Sequence, residues 1–262
     1  MKKLLLVATI AVAFGGAPVF AADMPARPIY KAAAAPAPMS DWTGFYVGAN
    51  IGYGWGTAHW SDLVAPEGNL PGEFVRHNTN GVLGGLQWGY NRQIGQWVFG
   101  FASDFDWSAI KGSSVCLGNA NDYQATCGTK ANWITTSTFR VGWAMGQFLP
   151  YVKGGWALAR NEFNVTNIGQ NGSGCCGPQA DYLPTKSYRS GWTVGGGMEY
   201  AFDRNWSAFV EYDYMDFGSN QEGFTPSVPN FITTNFSANI NSTVSVVKGG
   251  VNFRLGDWLA KF

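Results

Sequence analysis

The sequence predicts an all-β fold, an eight-stranded antiparallel transmembrane β-barrel, and three observations predict it. Eight segments of about ten residues alternate apolar with small or polar side chains. The connections between them alternate short and long. Beyond the N-terminal leader, no stretch approaches the roughly 20 apolar residues that a spanning helix needs. Composition agrees: Gly numbers 35 of 262 residues and aromatics reach 16%, while charged residues are only 13%.

The leader is read first. Lys2 and Lys3 precede the apolar run Leu4–Phe14, and Val19 and Ala21 sit at the −3 and −1 positions of a cleavage site before Ala22. Residues 1–21 are therefore expected to be a secretory signal peptide. Residues 22–40, rich in Pro and Ala, read as a periplasmic linker. Residues 41–262 form the barrel, with 256–262 as a short C-terminal tail. Removing Lys2 and Lys3 from 17 basic residues leaves 15 against 17 acidic ones, a charge near −2. No bulk field draws such a chain to nucleic acid, and its basic residues are not clustered with aromatics.

The segments follow in order. In Trp42–Trp55, Phe45, Val47, Ile51, Tyr53 and Trp55 oppose Gly44, Gly48, Gly52 and Gly54. In residues 81–91, Val82, Leu86, Trp88 and Tyr90 oppose Gln87, Gly89 and Asn91. Trp97–Trp107 sets Trp97, Phe99, Phe101 and Phe105 against Gly100, Asp104 and Asp106. The fourth, 133–144, opposes Trp133, Phe139, Val141 and Trp143 to Arg140. The fifth, 151–159, places Val152 and Trp156 opposite Lys153. Then come 191–202, with Glu199 on the polar face, 206–214, with Glu211 and Asp213, and 246–255, with Lys248 and Arg254. Long connections are expected at 56–80, 108–131, 160–187 and 217–241, and short turns between them.

The charges decide which face looks out. Asp104, Asp106, Arg140, Lys153, Glu199, Glu211, Asp213, Lys248 and Arg254 all fall on the polar face. Were the other face inside, Trp and Phe from nearly every strand would overpack an eight-stranded interior. Turned outward, the aromatics form two girdles of Trp and Tyr at the strand ends, where a bilayer's interfaces favour amphipathic rings. The nine charges are then expected to line the lumen as a network of ion pairs, since unpaired charges there are costly. The competing expectation is a polar pore, which eight strands leave little room for.

Four cysteines remain: Cys116 and Cys127, flanking a turn-rich segment, and the adjacent Cys175 and Cys176. Export makes disulfides possible, and structural bridges are favoured over a metal site. His59 and His77 both fall in the first long loop, with Ser61, Asp62 and Glu67 nearby. One histidine suffices to ligate a haem iron, so the pair are haemin candidates. Neither is expected to have an orienting carboxylate, so no catalytic residues are assigned and the chain is not expected to be an enzyme. "VGGGMEY" lacks the Lys-Ser/Thr that would make a phosphate loop. No cofactor is expected.

The leader, "DWTGFYVGANIGYGWG", "YVKGGWALA", "VEYDYMDFG" and the closing "VKGGVNFRL" resemble the outer membrane immunogenic protein group of alphaproteobacteria. These are small "porin family" barrels related to the OmpA transmembrane domain. The resemblance covers essentially all of the chain after the leader. It implies an outer-membrane location, lipid and lipopolysaccharide as surroundings, the barrel-assembly machinery as partner during insertion, and exposed loops for surface ligands. Members usually end on an aromatic in an alternating strand, whereas here "GDWLAKF" follows Leu255. The expected function is structural and surface-presenting, with a narrow diffusion channel or haemin and surface-ligand binding as alternatives.

Overall fold

The structure, a computed structural model, describes residues 41–65, 68–118, 124–168, 182–227 and 235–255. Among them are nine strand segments: β1 (Gly44–Ala65), β2 (Gly68–Ile94), β3 (Trp97–Ser108), β4 (Lys111–Gly118), β5 (Gln124–Trp143), β6 (Phe148–Ile168), β7 (Thr185–Ala201), β8 (Trp206–Phe224) and β9 (Phe236–Arg254). β3 and β4 are one stave with a break. Leu83 pairs with Ser108 and Asn80 with Lys111 in unchanged register, and Ala109 N donates to Val82 O between them. Eight antiparallel staves result, and the ring closes because β1 pairs with both β2 and β9. Closure leaves no edge strand to seek a foreign partner.

The turns at one end are tight. Gly95 and Gly146 adopt φ of 62° and 63° in them, a conformation that glycine reaches without a Cβ clash. At the other end the expected long loops are largely strand: Gly56–Ala65 pairs with Gly68–Thr79, Lys111–Gly118 with Gln124–Lys130, and Ser237 to Ser245 with both β1 and β8. The reason lies in a reversal of polarity along each stave. On β9 the inward set is Arg254, Asn252, Lys248, Val246, Val244, Ser242, Ile240, Ala238 and Phe236. It turns from polar to apolar between Lys248 and Val246. The outward set turns the other way, from Val251 and Val247 to Ser245, Thr243, Asn241 and Asn239. An alternation that changes sign midway looks like the end of a strand, although the backbone continues.

The reversal marks where the bilayer ends. Below it, Phe45, Ile51, Phe99, Phe139, Val152 and Val210 are exposed, Phe139 by 73%. Such a band is stable only against lipid. Rings cluster at its rims, as in Trp97–Trp143 at the turn end and Trp192–Tyr214 at the other. Above the reversal the wall resembles a soluble protein, polar outside and apolar within.

Three apolar layers partition the interior. Trp42, Val98, Leu149 and Ala201 fill the turn end. Leu83, Ile110, Ile134, Met215, Phe217 and Val246 lie just above the charged zone. Trp60, Phe163, Phe224, Phe236 and Ile240 close the outer end, with the Trp60 and Phe224 rings stacked at 5.3 Å. Bulges adjust the staves to this filling. Asn132 is skipped between Ala131 and Trp133, and Gly218, at φ 62°, sits in a register shift between Asp216 and Ser219.

Candidate functional site

The charged zone is built by inward positions of four staves. Lys248 on β9 holds its ammonium 3.3 Å from Asp104, 3.5 Å from Asp106, 3.2 Å from Glu211 and 3.6 Å from Asp213. Lys153 on β6 faces the same carboxylates: Glu211 at 2.7 Å, Asp213 at 3.1 Å and Asp104 at 3.6 Å. All six are buried. Glycines opposite clear the space; a Cβ at Gly195 would collide with the Asp213 carboxylate, and one at Gly52 with Lys248. The near-empty alternate face of the first segment thus leaves room for long side chains of the neighbouring staves, such as Lys248 and Asn252 on β9 and Gln87 on β2.

A second centre lies toward the turn end. Arg140 pairs with Glu199 at 3.2 Å, donates to Asn91 Oδ1 at 2.8 Å, and lies 4.8 and 5.0 Å from the ring centroids of Tyr46 and Tyr151. Glu199 also accepts from Ser207 Oγ (2.6 Å) and Asn252 Nδ2 (3.0 Å). The Tyr151 hydroxyl donates to Glu211 at 2.7 Å and joins the two centres. Asn50, Gln87 and Asn252 form a further chain of amide hydrogen bonds. Between these groups remains a cavity of about 20 Å³, room for roughly one water.

Eight of the nine expected lumen charges converge here; Arg254 does not. It donates to the carbonyls of Asp41 and Asp203 at 2.8 and 3.0 Å and stacks 4.7 Å over Trp42. It fastens the turn-end mouth rather than joining the carboxylates, because it lies six residues below Lys248 on the same stave.

The histidines also depart from expectation. They are on strands rather than in a loop: Ala58 pairs with His77 and His59 with Arg76. They face opposite sides of the wall and do not share a ligand site. His59 looks outward and its Nδ1 lies 3.0 Å from Glu73 Oε2, the orienting carboxylate that the sequence had not revealed. The nearby Ser61 hydroxyl donates to Asp62 Oδ2 at 3.2 Å. His77 is buried, with Nε2 on Thr129 Oγ1 at 3.0 Å and Nδ1 unpartnered. No cluster suited to a metal ion occurs among the described residues.

Cys116 and Cys127 are joined in a disulfide across β4 and β5, with Cα atoms 5.5 Å apart, inside the outer apolar layer. Cys175 and Cys176 lie outside the described residues, as do the expected signal peptide, linker and C-terminal tail.

One buried ion pair was not anticipated. Arg189 lies 3.5 Å from Glu222, donates to Ile240 O at 2.7 Å and sits 5.2 Å over Phe163. Extending the alternation back from Thr193 would have put Arg189 inside. Glu222 would have been misplaced, because the bulge at Gly218 exchanges the faces beyond it.

Burial lowers the pKa of His77 below its ordinary value. The unfolded chain therefore takes up a proton more readily than the folded one, and stability falls as pH drops through about 6.5 toward the folded pKa. Limited proteolysis of the outer staves should accelerate between pH 7 and 5. His77→Gln, which retains an amide for Thr129, should flatten that dependence; an unchanged profile would place its cause elsewhere.

A closed ring with a lipid-facing apolar band and polar, charge-bearing inner walls defines an integral outer-membrane β-barrel protein. The family model described as "Outer membrane protein beta-barrel domain" matches residues 29–242, and the chain belongs to that family. Solved structures similar to it include OprG from Pseudomonas aeruginosa, at 13% identity over 83% of this chain and 99% of that one, with a TM-score of 0.45. Ail, the attachment invasion locus protein of Yersinia pestis, is similar at 10% identity over 80% and 99%, with a TM-score of 0.34. The outer membrane protease OmpT of Escherichia coli is similar at 10% identity over 80% and 96%, with a TM-score of 0.46. No curated protein matches the sequence.

Proposed function

We propose that the protein is a closed structural barrel that reinforces the outer membrane and holds its connecting segments at the cell surface, without a conducting pore and without catalysis. The observation that carries this reading is the filled lumen. Lys153 and Lys248 span it to four carboxylates, and apolar layers lie on both sides of them. An ion crossing that zone would have to displace paired charges with little water to solvate it.

Single-channel recording in a planar bilayer tests the reading, with the shift in gel mobility on boiling as the sign that the inserted protein is folded. Folded protein should give no discrete conductance steps. Reproducible steps that change ion preference when Lys248 is replaced would make the lumen a pore, and the charges its selectivity residues.

A further inference from the structure

The outward charges above the aromatic rim are distributed unevenly. Five cations face outward on the described outer staves: Arg76, Lys111, Lys130, Arg160 and Lys186. Arg76 is engaged by Glu73 at 3.1 Å. The other four sit on adjacent staves, and no carboxylate among the described residues lies within ion-pairing distance of them. Register places them together. Lys111 pairs with Lys130, Lys130 with Glu162, and Glu162 with Lys186, forming one row across β4, β5, β6 and β7. In the row beneath, Trp107 pairs with Trp133, Trp133 with Arg160, and Arg160 with Tyr188. Neighbouring staves are about 4.8 Å apart, so each row spans roughly 15 Å.

Four cations around a single carboxylate, Glu162, which accepts from Asn132 Nδ2 at 3.5 Å and forms no ion pair with them, leave an excess of positive charge that costs stability unless an anion covers it. Their position selects the anion. Trp107, Trp133 and Trp192 mark the rim of the lipid-facing band, and the cations begin within a turn or two of alternation above it. Among the described residues, the outer parts of β8 and β9 carry Asp216, Thr243, Asn241 and Asn239 outward and no cation.

We propose that the outward face of β4–β7 is a binding strip for the phosphorylated headgroup of an outer-leaflet lipid. Lys111, Lys130 and Lys186 supply mobile point charges, and Arg160, held 5.9 Å over the Tyr188 ring, supplies planar paired donors to a phosphate. Acyl chains of the same lipid would lie along the outward surface below, formed by exposed Trp107 and half-buried Phe105 and Trp133. The bound lipid fixes the barrel's rotation relative to its neighbours, because only one wall carries the strip.

Native mass spectrometry of the folded full chain in detergent, titrated with bis-phosphorylated lipid A, tests the proposal. Discrete adducts are expected, and the combined substitution Lys111→Gln, Lys130→Gln, Arg160→Gln and Lys186→Gln should weaken them by about tenfold or more. Arg76→Gln should leave them unchanged. The boiling mobility shift reports folding; if the fourfold variant fails it, Lys111→Gln with Lys130→Gln, both exposed and unpaired, should still reduce adduct formation. Undiminished binding in either variant overturns the proposal. So does equal binding of dephosphorylated lipid A, and so does complete displacement by inorganic phosphate, which would make the strip a site for free anions.

Discussion

Replacing Lys248 by Met should destabilise the barrel by about 3–5 kcal/mol, because it leaves buried carboxylates uncompensated. Lys248 Nζ lies within 3.2–3.6 Å of four carboxylates, and Lys153 alone would then face Asp104, Glu211 and Asp213. Methionine keeps the length of the side chain, so the loss reads the charge rather than a cavity. The measurement is the urea midpoint of the boiling-sensitive gel form, reconstituted in lipid. Arg140→Ala should lower the midpoint as well, through loss of the Glu199 pair and of packing against two tyrosines. Arg254→Met should matter less, since its partners are carbonyls at the mouth. If Lys248→Met and Arg254→Met shift the midpoint equally, the charged zone is no brace and its conservation of space must serve something else, such as passage of ions.

The second large effect concerns space. Gly85 pairs with both Asn50 and Asp106 and faces the lumen. A Cβ there would collide with the Phe105 carbonyl and the Asp106 side chain. Gly85→Leu should therefore lose more than about 3 kcal/mol by overpacking and leave little boiling-sensitive barrel after refolding. Gly154, whose added Cβ would meet only the Thr193 carbonyl at 3.5 Å, supplies the contrast: Gly154→Ala should fold like the parent. Equal yields from Gly85→Leu and the parent would mean that the staves separate easily, and the tight lumen described above would not exist.

The membrane band was legible in the sequence, and the outer staves were not, for a common reason. Lipid on one side and a narrow lumen on the other impose opposite demands on neighbouring residues, so Phe99, Phe101, Phe105 and Trp107 alternate with Gly100, Ala102, Asp104 and Asp106, with Ser103 the one small residue on the outward face. Beyond Val246 both demands reverse while the pleat continues, and an extended wall reads as polar loop. His59 and His77 were misplaced by that reversal. The positions of Asp104, Lys153 and Lys248 on one face followed from counting by two, whereas their partners across the lumen depend on stagger between staves, which no local pattern encodes. Counting by two also fails past a bulge, as Glu222 shows. The pairing of Cys116 with Cys127 was left open among four cysteines, since it needs β4 and β5 to lie side by side, and β4 had not been anticipated.

The polarity reversal has a consequence for how such a protein can change over generations. From Gly56 to Ala65 the wall rises about 25 Å beyond the lipid-facing band, given strand rise and tilt. Its own apolar filling, with the disulfide inside it, holds the described part of that upper storey together. Outward side chains of the described upper wall, such as Thr243, Asn241 and Asn239, then need satisfy neither lipid nor lumen. Substitutions on that outward face should therefore be tolerated more readily than substitutions in the lipid-facing band or in the apolar filling.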